Sequence, residues 1–252
     1  MLPLSGMGFV PKKSACVDSI WGGLLDLLYP PRCQCCQEFS ADLICVECAQ
    51  GFQSVEPPFC EQCGVPFDPA AIVVGVCGEC REGRCALGRM RSTFYFRESV
   101  RTAIHAFKYR GCRRLFRPLG EMMGGRFPEL FGNLQVQCIL PVPLHPRRER
   151  ERGFNQAVLL ASVIGETCAI PVMSDVLHRS KFTQPQVGLT KAQRAENMRG
   201  AFTVTRGEAV REKRVLLVDD VLTTGSTIAA CARILTKAGA AAVYGYTLAR
   251  DK

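Results

Sequence analysis

Hydrophobic positions along this chain fall into two regimes that change near residue 90. From Met90 onward, short apolar runs alternate with amphipathic stretches. The runs Ser92 to Phe96, Val136 to Val142, Pro171 to Leu177, Ala201 to Thr205, Val215 to Val218 and Ala241 to Leu248 predict strands. Glu98 to Tyr109, with apolar residues at Val100, Ile104 and Phe107, predicts a helix, as do Asn155 to Ile164 and Ser226 to Lys237. Apolar strands that do not alternate with polar residues need cover on both faces. The pattern therefore predicts an α/β fold, a parallel sheet between helices, with ligands beyond the carboxyl ends of its strands.

Before Met90 large aliphatic side chains are sparse and cysteines are dense. Ten of the 15 cysteines lie between Cys33 and Cys85. Eight of them form four Cys-x-x-Cys knuckles: Cys33/Cys36, Cys45/Cys48, Cys60/Cys63 and Cys77/Cys80. Two residues between paired cysteines turn the backbone so that both sulfurs face one ion, and two knuckles complete a tetrahedral zinc site. A segment this poor in core residues needs metal to fold. Pairing neighbouring knuckles gives two consecutive zinc ribbons; an interleaved cross-brace is the alternative, and Cys35 could replace Cys33 or Cys36. A disulfide scaffold fits poorly with the further cysteines at Cys112, Cys138, Cys168 and Cys231. Iron–sulfur ligation is less well matched to regular knuckle pairs. With sulfur filling every position, both sites read as structural zinc.

Charge divides the chain at the same place. Residues 1–89 hold six Lys and Arg against ten Asp and Glu, whereas residues 90–252 hold 26 against 13. Domains are thus expected at 1–30 (an extension), 31–89 (a double zinc ribbon) and 90–252. With 22% charged and 47% hydrophobic residues, composition excludes a disordered chain. No apolar run approaches the roughly 20 residues of a membrane helix. Ile20 to Leu28, interrupted by Asp26, reads as a brief amphipathic helix rather than a secretory signal, so a cytoplasmic location is expected.

The most informative stretch runs from Val215 to Thr227. Four apolar residues lead to Asp219 and Asp220, and Thr223, Thr224, Gly225, Ser226 and Thr227 then open a helix. Hydroxyls and backbone N–H groups at a helix start, with its dipole behind them, make a phosphate cradle. Two acids beside it cannot bind the same phosphate; they suit a sugar diol or a magnesium ion. A phosphorylated ribose answers both demands. The chain has no Gly-x-x-x-x-Gly-Lys-Ser/Thr and no Gly-x-Gly-x-x-Gly after a strand, so P-loop and dinucleotide sites are unsupported.

These thirteen residues resemble the phosphoribosyl pyrophosphate (PRPP) signature of type I phosphoribosyltransferases. With the amino-terminal ribbons, the chain over roughly residues 25–250 resembles the ComF/ComFC family associated with bacterial competence. Further matching segments are Lys108 to Gly111, Pro141 to Leu144, Arg152 to Gln156, and Arg179 with Thr183, Gln186, Leu189, Arg194 and Asn197. The resemblance implies a type I phosphoribosyltransferase-like parallel sheet preceded by a small zinc-ribbon domain. It implies that Asp219 and Asp220 bind the ribose hydroxyls, that Thr223 to Thr227 hold the 5′-phosphate, and that Mg2+ accompanies PRPP. The pyrophosphate is then expected against Leu144, His145, Arg147 and Arg148, although Arg147 to Arg152 also reads as a solvated helix start.

Asn155 and Gln156 read equally as helix cap or ligand group, and Phe182, Gln184 and Gln186 as lid or surface loop. No general base is assigned to His105, His145 or His178. A transferase in nucleotide metabolism with an unknown acceptor, a PRPP-binding protein that engages single-stranded DNA, and a purely structural adaptor remain as functional classes. For the second, Lys108, Arg110, Arg113 and Arg114 offer a cationic cluster interleaved with Phe107, Tyr109 and Phe116. Competence proteins of the cytoplasm, a DNA helicase or recombination factors, are the partners the resemblance suggests.

Overall fold

Four strands lie side by side, all parallel, in the order β1–β6–β5–β2: β1 is Arg89–Tyr95, β6 Ala242–Arg250, β5 Arg214–Leu222 and β2 Cys138–Pro141. This computed structural model describes residues 30–68, 75–83, 85–181, 193 and 200–251. The segment 20–28 and the stretch carrying Phe182, Thr183, Gln184, Gln186, Leu189, Arg194 and Asn197 lie outside the described residues.

Both faces of the sheet are covered, as the unbroken apolar strands require. On one face, Ile139, Leu216, Val218, Tyr246 and Leu248 meet helices α3 (Glu98–Tyr109), α4 (Phe116–Phe131) and α6 (Gln156–Cys168). On the other, Leu140, Val215, Leu217 and Val243 pack with α7 (Ser226–Lys237) and with a separate antiparallel pair, β3 (Leu177–Arg179) and β4 (Phe202–Val204).

The strand expected from Pro171 to Leu177 is not continuous. Val172 makes one parallel bridge to Ile139, and the chain then bends through Ser174 and Asp175 before β3 begins. Asp175 stabilises that bend: its carbonyl accepts from the Thr205 hydroxyl at 3.0 Å, and its carboxylate pairs with Arg206.

Helix α4 has no counterpart in the sequence reading, because Pro118, Pro128, Gly120, Gly124 and Gly125 argue against a helix. Tertiary packing overrides that preference. A Cβ at Gly120 would lie 2.6 Å from Val163 Cβ, and one at Gly124 would lie 2.9 Å from Thr167 Cβ. Two glycines one turn apart thus let α4 press against α6 backbone to backbone. Pro128 cannot donate to the Gly124 carbonyl, and the Cys168 thiol approaches that oxygen at 3.8 Å instead. Gly120→Val is expected to destabilise the fold by about 2–3 kcal/mol through overpacking, measured by denaturant unfolding. An unchanged midpoint would disprove this crossing.

The cysteine-rich segment contributes two short helices, α1 (Val46–Gln50) and α2 (Gly78–Arg81), and lies along the outer edge of β1. Val55 N–H donates to Thr93 O at 3.0 Å, Tyr95 N–H to Gln53 O at 2.9 Å, and Met90 N–H to Gln62 O at 2.7 Å. An open sheet edge is thereby closed by the chain's own ribbon. Ile44 and Phe52 are buried in the core of the sheet, with the Phe52 ring edge-on to Phe94 at 5.3 Å. Arg126 of α4 adds a two-pronged contact to Glu56, at 2.6 and 3.2 Å.

Candidate functional site

β5 is longer than its apolar core, so Asp219 and Asp220 belong to the strand rather than to the turn after it. Asp220 N–H donates to Asp219 Oδ1 at 2.8 Å. From α3, Lys108 Nζ reaches Asp220 Oδ1 at 2.7 Å, with both side chains largely shielded from solvent. The Asp219 carboxyl is pushed up to about 7, first by burial and then by the charge of Asp220; Lys108 and Arg179 oppose the shift.

Beyond the strand, Gly225 takes φ 73° and stands at the start of α7. A substituent there would meet only Leu222 Cδ1, at 3.4 Å, so glycine is required by the left-handed backbone rather than by lack of room. Thr224 Oγ1 and Ser226 Oγ lie 2.9 Å apart. The first N–H groups of a helix have no carbonyl partner within the helix itself, and here they follow directly on the hydroxyl-rich turn. The turn has the donors of an anion cradle.

A cleft of about 200 Å³ lies beside these groups, with Asp219, Asp220 and Thr227 on one side and Leu144, Arg148 and Arg179 among its other walls. Of the four residues expected at a pyrophosphate end, the structure brings two to the cleft and takes two away. Leu144 and Arg148 line it. His145 instead caps helix α5 (Pro146–Arg152), its Nδ1 accepting from Arg147 N–H at 3.2 Å, and Arg147 Nε pairs with Glu151 at 3.0 Å. The Arg147–Glu151 pair is what a solvated helix start with alternating charge would make. Arg179 on β3, which in the sequence is only a marker of resemblance, is buried and faces the cleft. Its pKa is lowered by burial and then by the charge of Arg148, while Asp219 acts the other way. Two mutually repelling guanidiniums on the wall of one cleft suit an anion between them.

Asn155 caps α6 and also lines the cleft. Its Oδ1 accepts from Ala157 N–H at 2.9 Å, and its Nδ2 donates to Val142 O at 3.1 Å, tying α6 to the end of β2. Gln156 is 1% exposed and also lines the cleft. Its Oε1 accepts from Arg152 Nη1 at 2.6 Å, while Nε2 is buried with no hydrogen-bond partner among the described residues. A guanidinium has no acceptor, so Arg152 fixes which way this amide points.

The cationic cluster is divided too. Lys108 faces Asp220 rather than solvent, which corrects its grouping with the surface cations. Arg110, Arg113 and Arg114 are exposed around the turn between α3 and α4. Phe107 is fully buried and stacks on Phe154 at 5.5 Å, whereas Tyr109 is 69% exposed, with the Arg152 guanidinium 5.2 Å from its ring centroid.

The eight knuckle cysteines assemble as neighbours: Cys33, Cys36, Cys45 and Cys48 in one cluster, Cys60, Cys63, Cys77 and Cys80 in the other, with ligand atoms all within 4.8 Å of one another in each. Sulfurs 2.3 Å from a tetrahedral zinc stand about 3.8 Å apart. Cys36 and Cys45 Sγ are separated by 3.8 Å, and Cys63 and Cys77 Sγ by 3.6 Å, so both clusters fit the ion. The clusters repeat one design: Cys45 N–H donates to Cys33 Sγ and Cys77 N–H to Cys60 Sγ, each at 3.3 Å. Burial opposes ionisation of Cys33 and Cys60, but converging backbone N–H groups outweigh it and bring both down to about 6. Cys35 stays outside, its thiol 3.6 Å from Ser99 O and pushed up to about 12 by burial.

Sheet, cleft and ribbons together define a phosphoribosyltransferase-fold protein with an amino-terminal double zinc ribbon. Residues 24–81 match the double zinc ribbon domain and residues 151–252 the phosphoribosyl transferase domain. Competence protein F of Haemophilus influenzae is 31% identical over 212 residues, covering 82% of this chain and 90% of that protein. Competence protein ComFC of Bacillus subtilis is 26% identical (82% and 84% covered), and the DNA utilization protein YhgH of Escherichia coli is 28% identical (82% and 90%). The chain belongs to the ComF/ComFC competence family. Among the described residues, no helix is long and apolar enough to cross a membrane.

Proposed function

We propose that this protein binds PRPP with Mg2+ in the cleft beside Asp219 and serves DNA uptake in the cytoplasm by handling single-stranded DNA. The observation that carries the first half is one cleft lined by an acid pair, by Thr227 of the hydroxyl-rich turn, and by Arg148 and Arg179. Asp219 and Asp220 accept hydrogen bonds from the ribose 2- and 3-hydroxyls. Thr223, Thr224, Gly225, Ser226 and Thr227 receive the 5′-phosphate. Leu144 and Arg148, with Arg179, lie along the diphosphate, whose charge Mg2+ shares. Lys108 neutralises Asp220 while the ribose is absent, and it must yield or share that carboxylate when the diol arrives.

The DNA half is supported by the relatives named for competence and DNA utilization and by the exposed Arg110, Arg113 and Arg114 beside Tyr109. Cations next to an exposed aromatic ring suit a flexible strand whose bases can stack. Cytoplasmic competence proteins, such as a DNA helicase or recombination factors, are the partners this reading suggests.

Calorimetric titration with PRPP and Mg2+ tests the site, with ribose 5-phosphate as comparator. Saturable binding that is tighter for PRPP is expected; no binding by folded, zinc-loaded protein would refute it. Pyrophosphate release with candidate acceptors would then show whether transfer is catalysed. For the DNA half, Arg113→Glu/Arg114→Glu should weaken oligothymidylate binding and flatten its salt dependence, by about 0.7 in log–log slope for each phosphate no longer neutralised. An unchanged slope would place the DNA elsewhere.

A further inference from the structure

The two ribbons are not equivalent in what lies beneath them. The second rests on two guanidinium groups from the sheet, Arg91 of β1 and Arg250 of β6, which are only 7% and 5% exposed. Arg91 Nη1 donates to Met90 O at 2.8 Å and to Cys60 O at 3.4 Å, and its Nη2 donates to Glu61 O at 2.9 Å. Arg250 Nη1 donates to Gly64 O. Both Nη1 atoms come within 3.5 Å of the point where a side chain on Gly64 would begin, directly after the Cys60/Cys63 knuckle. Two buried cations therefore converge on one turn of the second cluster. At the first ribbon the corresponding position is taken by Arg32, which donates to Gln37 O at 2.8 Å but is exposed.

Carbonyl partners satisfy the protons of Arg91 without neutralising its charge, and burying a cation without an anion is costly. Both guanidiniums lie against the backbone of the Cys60/Cys63 knuckle, so with zinc bound the thiolates of Cys60 and Cys63 would supply compensating negative charge, to which Glu61 adds at Arg91. A zinc ion held by four thiolates carries a formal charge of −2, which two guanidiniums balance. We propose that Arg91 and Arg250 are the charge partners of the second cluster. They hold its ion more tightly than four sulfurs alone would, and they make that ion the clasp between the ribbon and the edge of the sheet. The clasp is one strand from the cradle: Arg250 pairs in register with Leu222, the last residue of β5 before Thr223. The neutral lock belongs to the second ribbon; the first, with its exposed arginine, is the internal reference.

Competition between the full-length, zinc-loaded protein and a chromogenic chelator tests this, with Cys36→Ser and Cys63→Ser assigning each released ion to its cluster. Arg91→Met/Arg250→Met should weaken zinc at the second cluster by about 10–100-fold and leave the first unchanged. Arg91→Lys, which keeps the charge, should retain most of the affinity. Equal affinities in wild type and the double variant, or equal weakening at both clusters, would overturn the proposal. So would Arg91→Lys falling as far as Arg91→Met, because carbonyl bonding rather than charge would then be the contribution. If the double variant fails to fold, Arg91→Met alone carries the comparison.

Discussion

Asparagine at Asp219 and asparagine at Asp220 are expected to have the same effect on PRPP binding and opposite effects on stability. At pH 8, above the raised pKa of Asp219, each removes a charged acceptor from the ribose end of the cleft. At 1.5–3 kcal/mol for a hydrogen bond to a charged group, each change should weaken binding by about 10–100-fold. Stability separates them because their surroundings differ. Asp219 has its folded pKa raised to about 7 by burial and by Asp220, above the ordinary carboxyl value of 3.8. A raised carboxyl contributes stability below the unfolded pKa and loses it as pH rises through the folded one. Asp219→Asn should therefore melt like wild type near pH 4, increasingly above it as pH rises toward 7, and by a steady margin at higher pH. Asp220 instead holds Lys108 at 2.7 Å, and Asp220→Asn leaves that shielded ammonium without its carboxylate. It should lower stability by about 1–3 kcal/mol at neutral pH. Melts at pH 4, 6 and 8 with PRPP titrations check both; a lower melting temperature for Asp219→Asn at pH 8 would refute the account of that acid.

Removing the metal is expected to have a larger effect than any of these substitutions. Structural zinc contributes about 10–16 kcal/mol to small zinc-dependent folds, and this ribbon segment has little else to hold it. Its apolar anchors, Ile44 and Phe52, are buried in the sheet's core, and its backbone closes the edge of β1. Chelation should release two equivalents, one from each cluster. It should also make the ribbon segment susceptible to protease and lower the main thermal transition by about 10 °C or more, since in domains of this size each kcal/mol moves the midpoint by about 2–4 °C. An unlocked β1 edge should promote aggregation as well. A melt unchanged after metal analysis proves the ions gone would mean that the ribbons fold without them and that the sheet does not depend on them.

Periodicity locates elements wherever local and tertiary demands agree. Helices α3 and α7 begin and end where amphipathic spacing puts them, because their apolar stripes are the faces that the sheet covers. β5 runs past its predicted end because Asp219 and Asp220 stop the apolar run without stopping the strand. Helix α4 is hidden because its glycines look like breakers in isolation and become points of close approach only once Val163 and Thr167 lie opposite. The knuckle spacing announces both metal clusters, since each pair of sulfurs is set by the local backbone. Their partnership needs only the adjacent knuckle.

What the sequence determined by itself is local: the Cys-x-x-Cys turns, the acid pair with its hydroxyl cradle, the apolar strands, and the family these imply. Tertiary structure decided everything that joins distant residues. Lys108 reaches Asp220 across 112 positions, and Arg179 joins Arg148 at one cleft. Arg250 reaches Gly64 across 186 positions. Such pairings carry no spacing signal, because charges attract through space and the sheet order that brings them together is set by burial, not by proximity along the chain.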